Sequence, residues 1–222
     1  MKIGILSDTH NMLRPEVCEA LRGSDIILHA GDIAKPEILD ELREIAPIKV
    51  VRGNNDRAWA EDLPMHLTFE LNSHRFFMTH KKRDIPVDVD ADIVIFGHSH
   101  RYEEYREGST LFLNPGSCGP RRFTQPITLM LMELCDGQIE VRRVEIEHKL
   151  KNMKAPSNSS DLNRIIIGAV RDIQKGLSVR EIAAKYNISE EFAEQICRMY
   201  LTHPGIDAQG VINKMELYAR GL

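Results

Sequence analysis

The apolar positions of the first fifty residues come in short blocks, each closed by a polar or glycine-containing stretch. "KIGILS", "DIILHA" and "IKVVRG" have the length and β-branched content of buried strands. Between them, Pro15 to Leu21 and "KPEILDELREI" carry apolar residues at helical spacing. The second has Pro36 near its start, where a missing N–H is tolerated. This β-α-β-α-β order predicts parallel strands joined by helical crossovers. After residue 65 the period shortens. "HLTFEL" and "HRFFMTH" flank Asn72-Ser73 and predict a tight hairpin. "ADIVIFGHSH", "STLFLNPGS", "ITLMLMEL" and "QIEVRRVEIE" predict further strands, with Gly137 after Asp136 turning the last pair. The fold class is α/β: two sheets packed face to face as a sandwich, with helices outside, followed by a small all-α unit.

The strand rhythm stops at residues 148–161, "HKLKNMKAPSNSSD", a polar stretch with Pro156 and a Ser/Asn cluster that predicts a linker. Residues 162–175, 178–187, 189–202 and 206–219 then carry helical periodicity. Ser178 and Ser189 stand at N-cap positions, and Glu181 completes a capping box. The predicted organisation is a domain over 1–147, a linker over 148–161 and a helical domain over 162–222. Within the last, "LSVREIAAKYNISEEFAEQICRMY" resembles a helix-turn-helix, a unit able to set its second helix in a DNA groove. Residues 155–222 hold eight Lys/Arg and eight Asp/Glu, however, and "SEEFAEQ" opens that second helix with three acids. Balanced charge favours dimerisation, docking or a lid over nucleic-acid binding, which stays open as an alternative.

Composition adds limits. With 222 residues, 42% of them hydrophobic, and a formal charge of −4, the chain can bury a large core but shows no global attraction to nucleic acid or anionic membranes. No apolar run approaches the roughly 20 residues of a membrane span. The apolar stretch in "MKIGILSDTH" is too short for a signal sequence. Cys18, Cys118, Cys135 and Cys197 are scattered without a CxxC and read as reduced thiols. The expected compartment is the cytoplasm.

The ionisable residues collect at strand ends. Asp8 and His10 follow the first strand, Asp32 the second, and Asn54 and Asn55 the third. Carboxyl ends of parallel strands share one edge, where ligands bind. His80 follows "RFFMT", and His98 and His100 follow "DIVIFG". Asp8/His10 and His98/His100 are both i, i+2 pairs, which an extended segment would turn to one side. Four histidines, two aspartates and Asn54 form a nitrogen and oxygen set without sulfur. That set suits Mn, Fe, Zn, Ni or Co, and seven groups exceed one tetrahedral ion but fit two ions sharing a carboxylate.

In this order the motifs "SDTH", "AGDI", "GNND", "MTHK" and "FGHSH" resemble the calcineurin-type metallophosphoesterase superfamily, in its small YfcE-like phosphodiesterase branch. "NPGS", residues 114–117, matches that branch as well. The resemblance covers residues 1 to about 147. It implies one metal held by Asp8, His10, Asp32 and His100, and a second held by Asp32, Asn54, His80 and His98, with Asp32 bridging. Asp56 would orient its neighbours. Two divalent cations are implied, with Mn as the first expectation and Ni, Fe, Zn, Co or Mg as alternatives. The implied activity is phosphodiester hydrolysis by a hydroxide bridging the metals, on a small phosphodiester or nucleotide substrate. A phosphomonoesterase, a nuclease acting on RNA ends or cyclic nucleotides, and a regulatory nucleic-acid-binding protein are the alternatives; a homo-oligomer is a further expectation.

Two departures from the family pattern narrow the expectation. Where many members carry His after the ligand Asn, or Cys in the YfcE-like branch, this chain has Asn55. An amide donates a hydrogen bond but is no general acid, so diesters with good or strained leaving groups are favoured over alkyl monoesters. Second, "THKKRD" replaces the usual glycine after the histidine, which makes Lys81, Lys82 and Arg83 a candidate anion-attracting rim, with Arg101 beside it. His29, His66, His74, His148 and His203 are read as structural.

Overall fold

Alternating residues that are apolar on both sides make a strand that must be covered on both faces. In β1 (Lys2–Leu6), Ile3 and Ile5 join an inner core with Ile26 and Leu28 of β2 (Ile26–His29). On the other face, Ile27 and Val50 of β3 (Ile48–Val50) pack with Val17 and Leu21 of α1 (Pro15–Leu21) and with Ile38, Leu39 and Leu42 of α2 (Pro36–Arg43). Both helices start with proline in the first turn, and β1–β2 and β2–β3 run parallel, as crossover helices require.

The structure, a computed structural model, describes residues 1–120, 125–135, 137–146, 159–203 and 205–219. The second sheet is built from β4 (His66–Leu71), β5 (His74–Thr79), β6 (Ile93–Ile95), β7 (Tyr102–Glu107) and β8 (Thr110–Pro115), in the order β4-β5-β6-β8-β7. Asn72 (φ 47°) and Ser73 (φ 63°) close the β4–β5 hairpin with two left-handed residues, matching the right-handed strand twist. β9 (Ile127–Cys135) and β10 (Gln138–Ile146) return to the first sheet, ordered β10-β9-β1-β2-β3. Asp136, between them in sequence, lies outside the described residues. Phe76, Met78, Ile93, Ile95, Leu111 and Leu113 meet Ile3, Ile5, Met130 and Met132 between the sheets. Full burial of each such side chain contributes about 1.5–3 kcal/mol.

Hydrophobic pattern gives no strand over "YEEYRE", yet β7 forms there. It pairs with β8 alone at the sheet edge, where charged side chains can stay in water. The outer face of the second sheet carries Phe77, Val94, Phe96 and Phe112, against which Ile85, Val89 and Tyr105 pack.

The chain divides into two compact units, Met1–Glu147 and His148–Leu222. The second contains α3 (Ser159–Gln174), α4 (Val179–Tyr186), α5 (Glu190–Thr202) and α6 (Ala208–Ala219). Of the stretch read as linker, residues 148–158 lie outside the described residues. Residues 159–161 open α3 instead, because Ser and Asp suit a first helical turn as well as a loop. The Ser178–Glu181 capping box forms, and Asn187 ends α4 in the left-handed conformation (φ 50°). Ile166, Ile182, Phe192, Ile196 and Val211 are buried in this unit. Asp172 accepts from Lys185 Nζ at 2.6 Å and Tyr186 OH at 2.7 Å, tying α3 to α4. No helix among the described residues is long and apolar enough to cross a membrane.

Candidate metal centre

Where β1 and β2 end, their loops remain zipped together. Asp8 N donates to Gly31 O at 3.0 Å, His10 N to Asp32 O at 3.0 Å, and Asn11 N to Ile33 O at 2.9 Å. A buried carboxylate helps to tie in the loop after β3. Asp56 Oδ1 accepts from Ile33 N (2.8 Å) and Ala34 N (2.7 Å), and its Oδ2 from Asp32 N (3.0 Å) and Gly53 N (2.7 Å). Asp56 thus gathers four backbone N–H groups from two strand-end loops.

On this frame, side chains converge in two groups. Asp8, His10 and His100 form one, Asp32, His80 and His98 the other, and within each group a ligating atom per residue lies within 4.8 Å of the rest. His10 Nε2 and His100 Nε2 are 3.3 Å apart, and His100 Nε2 is 3.0 Å from Asp8 Oδ1. Asp32 reaches into both groups. Its Oδ1 is 3.4 Å from His80 Nε2, and its Oδ2 is 3.7 Å from His10 Nε2.

The donor set fits a cation. Asp8 and Asp32 are buried carboxylates, 0% and 1% exposed. Asp8 Oδ1 and His80 Nε2 are buried and make no well-aligned hydrogen bond; the groups beside them, His100 Nε2 and Asp32 Oδ1, belong to the same donor set. His80 Nδ1 lies 2.7 Å from Ala30 O, so its N–H is engaged there and the neutral ring presents the Nε2 lone pair. Burial works against ionised Asp8, but His100 and His10 outweigh it and hold the carboxyl well below its usual range. Burial likewise disfavours the His80 cation, yet Asp32 and Asp8 raise its pKa. Two carboxylates out of water thus draw positive charge to the site.

The i, i+2 spacing works differently from the extended-segment expectation. Asp8 and His10 do share a group, but His98 and His100 are divided between the two groups. The reason is local: Asp8 (φ 57°), His10 (43°), Asp32 (58°), His98 (69°) and His100 (57°) are all left-handed, so the chain turns instead of alternating. Of the two asparagines, Asn55 touches Asp32: its N donates to Oδ1 at 2.8 Å and its Nδ2 to Oδ2 at 2.7 Å. Asn54 is exposed on the same turn.

Lys81, directly after His80, is half-buried, and its charge helps burial and His80 to lower the pKa of His98. Lys82 and Arg83 do not join a rim at the site. Lys82 lies over the Tyr105 ring (4.7 Å) and pairs with Glu103 at 3.1 Å, while Arg83 lies 3.7 Å from Asp84. Arg101 is exposed, its backbone N on Ser99 Oγ. His29 is buried and structural, with Nδ1 accepting from Gly31 N (3.2 Å) and Nε2 against Thr9 Oγ1 (3.1 Å). His66 stacks on Phe77, His74 and His203 lie against backbone carbonyls, and His148 is outside the described residues. Sequence reasoning missed Ser7, whose hydroxyl donates to Asp8 Oδ2 at 2.6 Å. Its place between an apolar strand and an aspartate was the only signal.

Comparison with known proteins agrees with this geometry. The family model described as "Calcineurin-like phosphoesterase superfamily domain" matches residues 1–137. A probable metallophosphoesterase of Methanothermobacter thermautotrophicus is 36% identical over 146 residues, spanning 59% of this chain and 85% of that protein. A phosphodiesterase of Methanocaldococcus jannaschii is 28% identical over 141 residues, 53% of this chain and 84% of that one. Among solved structures, one described as a novel archaeal phosphodiesterase superposes with a TM-score of 0.57 at 26% identity, over 66% of this chain and all of its own.

Proposed function

The chain belongs to the calcineurin-like phosphoesterase superfamily, and from that premise we propose that it is a phosphodiesterase working with two divalent cations. The observation that carries the reading is Asp32, whose two oxygens face histidines of different donor groups. We assign Asp8, His10, Asp32 and His100 to one cation, and Asp32, Asn54, His80 and His98 to the other, with manganese the first expectation. Bound there, such a pair supplies positive charge for the phosphoryl oxygens and acidifies water toward neutral pH.

The chain's own residues set up this chemistry. Asp32 is shared, and Asp56 fixes its backbone. Ala30 O orients the His80 ring. We assign Lys81 to attract the anionic substrate. Asn55 stands where other members keep a proton donor, and its amide already engages Asp32. The leaving group must therefore depart without a general acid. This supports diesters with good or strained leaving groups as substrates. The helical unit serves as a docking or dimerisation module. Cys118 and Cys197, buried thiols whose pKa burial pushes to about 12, fit the reducing cytoplasm.

The test is hydrolysis of bis-p-nitrophenyl phosphate against p-nitrophenyl phosphate after chelation, then with Mn, Ni, Zn or Mg restored. Metal-dependent cleavage of the diester, with the monoester slower, is the expected result. Comparable rates on both esters would remove the preference for diesters, comparable rates on an alkyl monoester would remove the leaving-group argument, and no metal-dependent diester cleavage would remove the whole reading.

A further inference from the structure

The segment Gly97–His100 belongs to both donor groups at once. It supplies His98 to one and His100 to the other. It also hydrogen-bonds a residue of each: Gly97 N donates to His80 O at 2.9 Å, and His98 N to Asp8 Oδ2 at 3.0 Å. Its path is a tight turn, with Ser99 N on Gly97 O at 2.8 Å and left-handed residues at His98 (φ 69°) and His100 (φ 57°). Each left-handed non-glycine residue is disfavoured by roughly 1–2 kcal/mol, so contacts from outside must hold the turn.

Beyond the bonds to His80 and Asp8, such contacts come from Asn114, on β8. Its side chain is fully buried. Nδ2 donates to Gly97 O at 3.0 Å and to Ser99 Oγ at 3.0 Å, while Oδ1 accepts from Gly116 N at 3.0 Å. Ser99 Oγ passes the restraint on by accepting from Arg101 N at 3.3 Å. This pattern needs an amide. A carboxylate has no donor for Gly97 O, and a hydroxyl has one donor where two are used.

We propose that Asn114 is a positioning residue for both cation sites together, acting through the Gly97–His100 turn. The inference rests on the two-cation reading above, but it concerns metal affinity instead of turnover. The hydrogen bonds of the Asn114 side chain go to Gly97, Ser99 and Gly116, not to a proposed ligand, so it acts on the backbone from which one histidine enters each site. Removing its donors therefore weakens both sites in parallel, unlike loss of any single ligand specific to one site.

The experiment titrates full-length protein with Mn(II) by calorimetry, comparing wild type with Asn114→Asp and Ser99→Ala, with far-UV circular dichroism as the fold check. Asn114→Asp keeps the shape and deletes both donors. The expected result is a loss of about tenfold or more in affinity at both sites, the scale of outer-shell substitutions. A smaller loss, again at both, is expected for Ser99→Ala. Saturating Mn(II) should return Asn114→Asp to near wild-type diester cleavage, a rescue that a merely unfolded variant would not show. Loss confined to one site, or unchanged affinity in both variants, overturns the proposal. Should Asn114→Asp not fold, Ser99→Ala decides alone. Wild type that binds two ions without cleaving diesters contradicts the proposed function and leaves this inference standing; wild type that binds none contradicts both.

Discussion

Replacing Asp56 by asparagine should weaken the first unit more than any surface change of similar size. Asp56 is 3% exposed, and each of its oxygens accepts two backbone N–H groups. An asparagine there keeps one acceptor oxygen and turns an NH2 toward the other pair of donors, whichever way the amide is flipped. Two charge-assisted bonds are lost and two buried N–H groups stranded. At roughly 1.5–3 kcal/mol for each, the cost is about 3–6 kcal/mol. That is a large share of the 5–15 kcal/mol typical of a domain. The assay is urea unfolding of metal-free protein followed by fluorescence of Trp59, the only tryptophan. It lies in the 3-10 turn Ala58–Ala60, packed on the core of the first unit, so it reports that unit. With a slope of about 1–3 kcal/mol per molar urea, the midpoint should fall by 1 M or more. A midpoint within about 0.3 M of wild type would refute the four-bond argument about Asp56.

Three other changes test neighbouring parts of the reasoning. In Gly53→Ala the new Cβ would stand 2.1 Å from Asp32 N and 2.2 Å from Asp32 Oδ1, so the loops must separate. Mn(II) affinity should drop about tenfold or more by calorimetry, and unchanged affinity would contradict the close approach. Ala34 is left-handed (φ 77°), and Ala34→Gly should raise the melting temperature by roughly 1–4 °C, relief of strain slightly exceeding the added chain entropy; a fall would contradict the strain. Burial lowers the His29 pKa from 6.5 to about 3. The unfolded chain thus binds the extra proton between those values, and this contribution is complete above about pH 6.5 and lost as pH falls below it. Urea titrations across pH 4–7 should show a slope approaching 1.4 kcal/mol per unit that His29→Gln lacks. Equal slopes in the two proteins would place His29 elsewhere.

Much of the architecture was legible because local and global signals agree. The prolines at 15 and 36, the apolar runs ending in Asp or Asn, and the Asn72-Ser73 turn each point to the element found there. β7 was not legible from hydrophobicity, since an edge strand needs no apolar face. At the site, residue types and chain order marked the edge where Asp8, His10, Asp32, His80, His98 and His100 meet. How they meet was hidden. Left-handed turns, not strand alternation, send His98 and His100 to different groups, and histidine, unlike glycine or proline, does not announce such a dihedral. The family resemblance told Asn54 from Asn55, but the grip of Asn55 on Asp32 was visible only in space. The supports Ser7 and Asn114 act through short polar contacts that composition cannot distinguish from ordinary turn residues.

The most direct measurement is the count of manganese per chain alongside the rate of diester cleavage, in wild type and in Asp32→Ala. Two ions per wild-type chain are predicted, with cleavage abolished by a chelator and restored by Mn(II). In Asp32→Ala both ions should bind more weakly and the rate fall by about a hundredfold or more. Diester cleavage that survives complete chelation, or an Asp32→Ala chain that cleaves at the wild-type rate, would contradict a two-cation centre shared through Asp32.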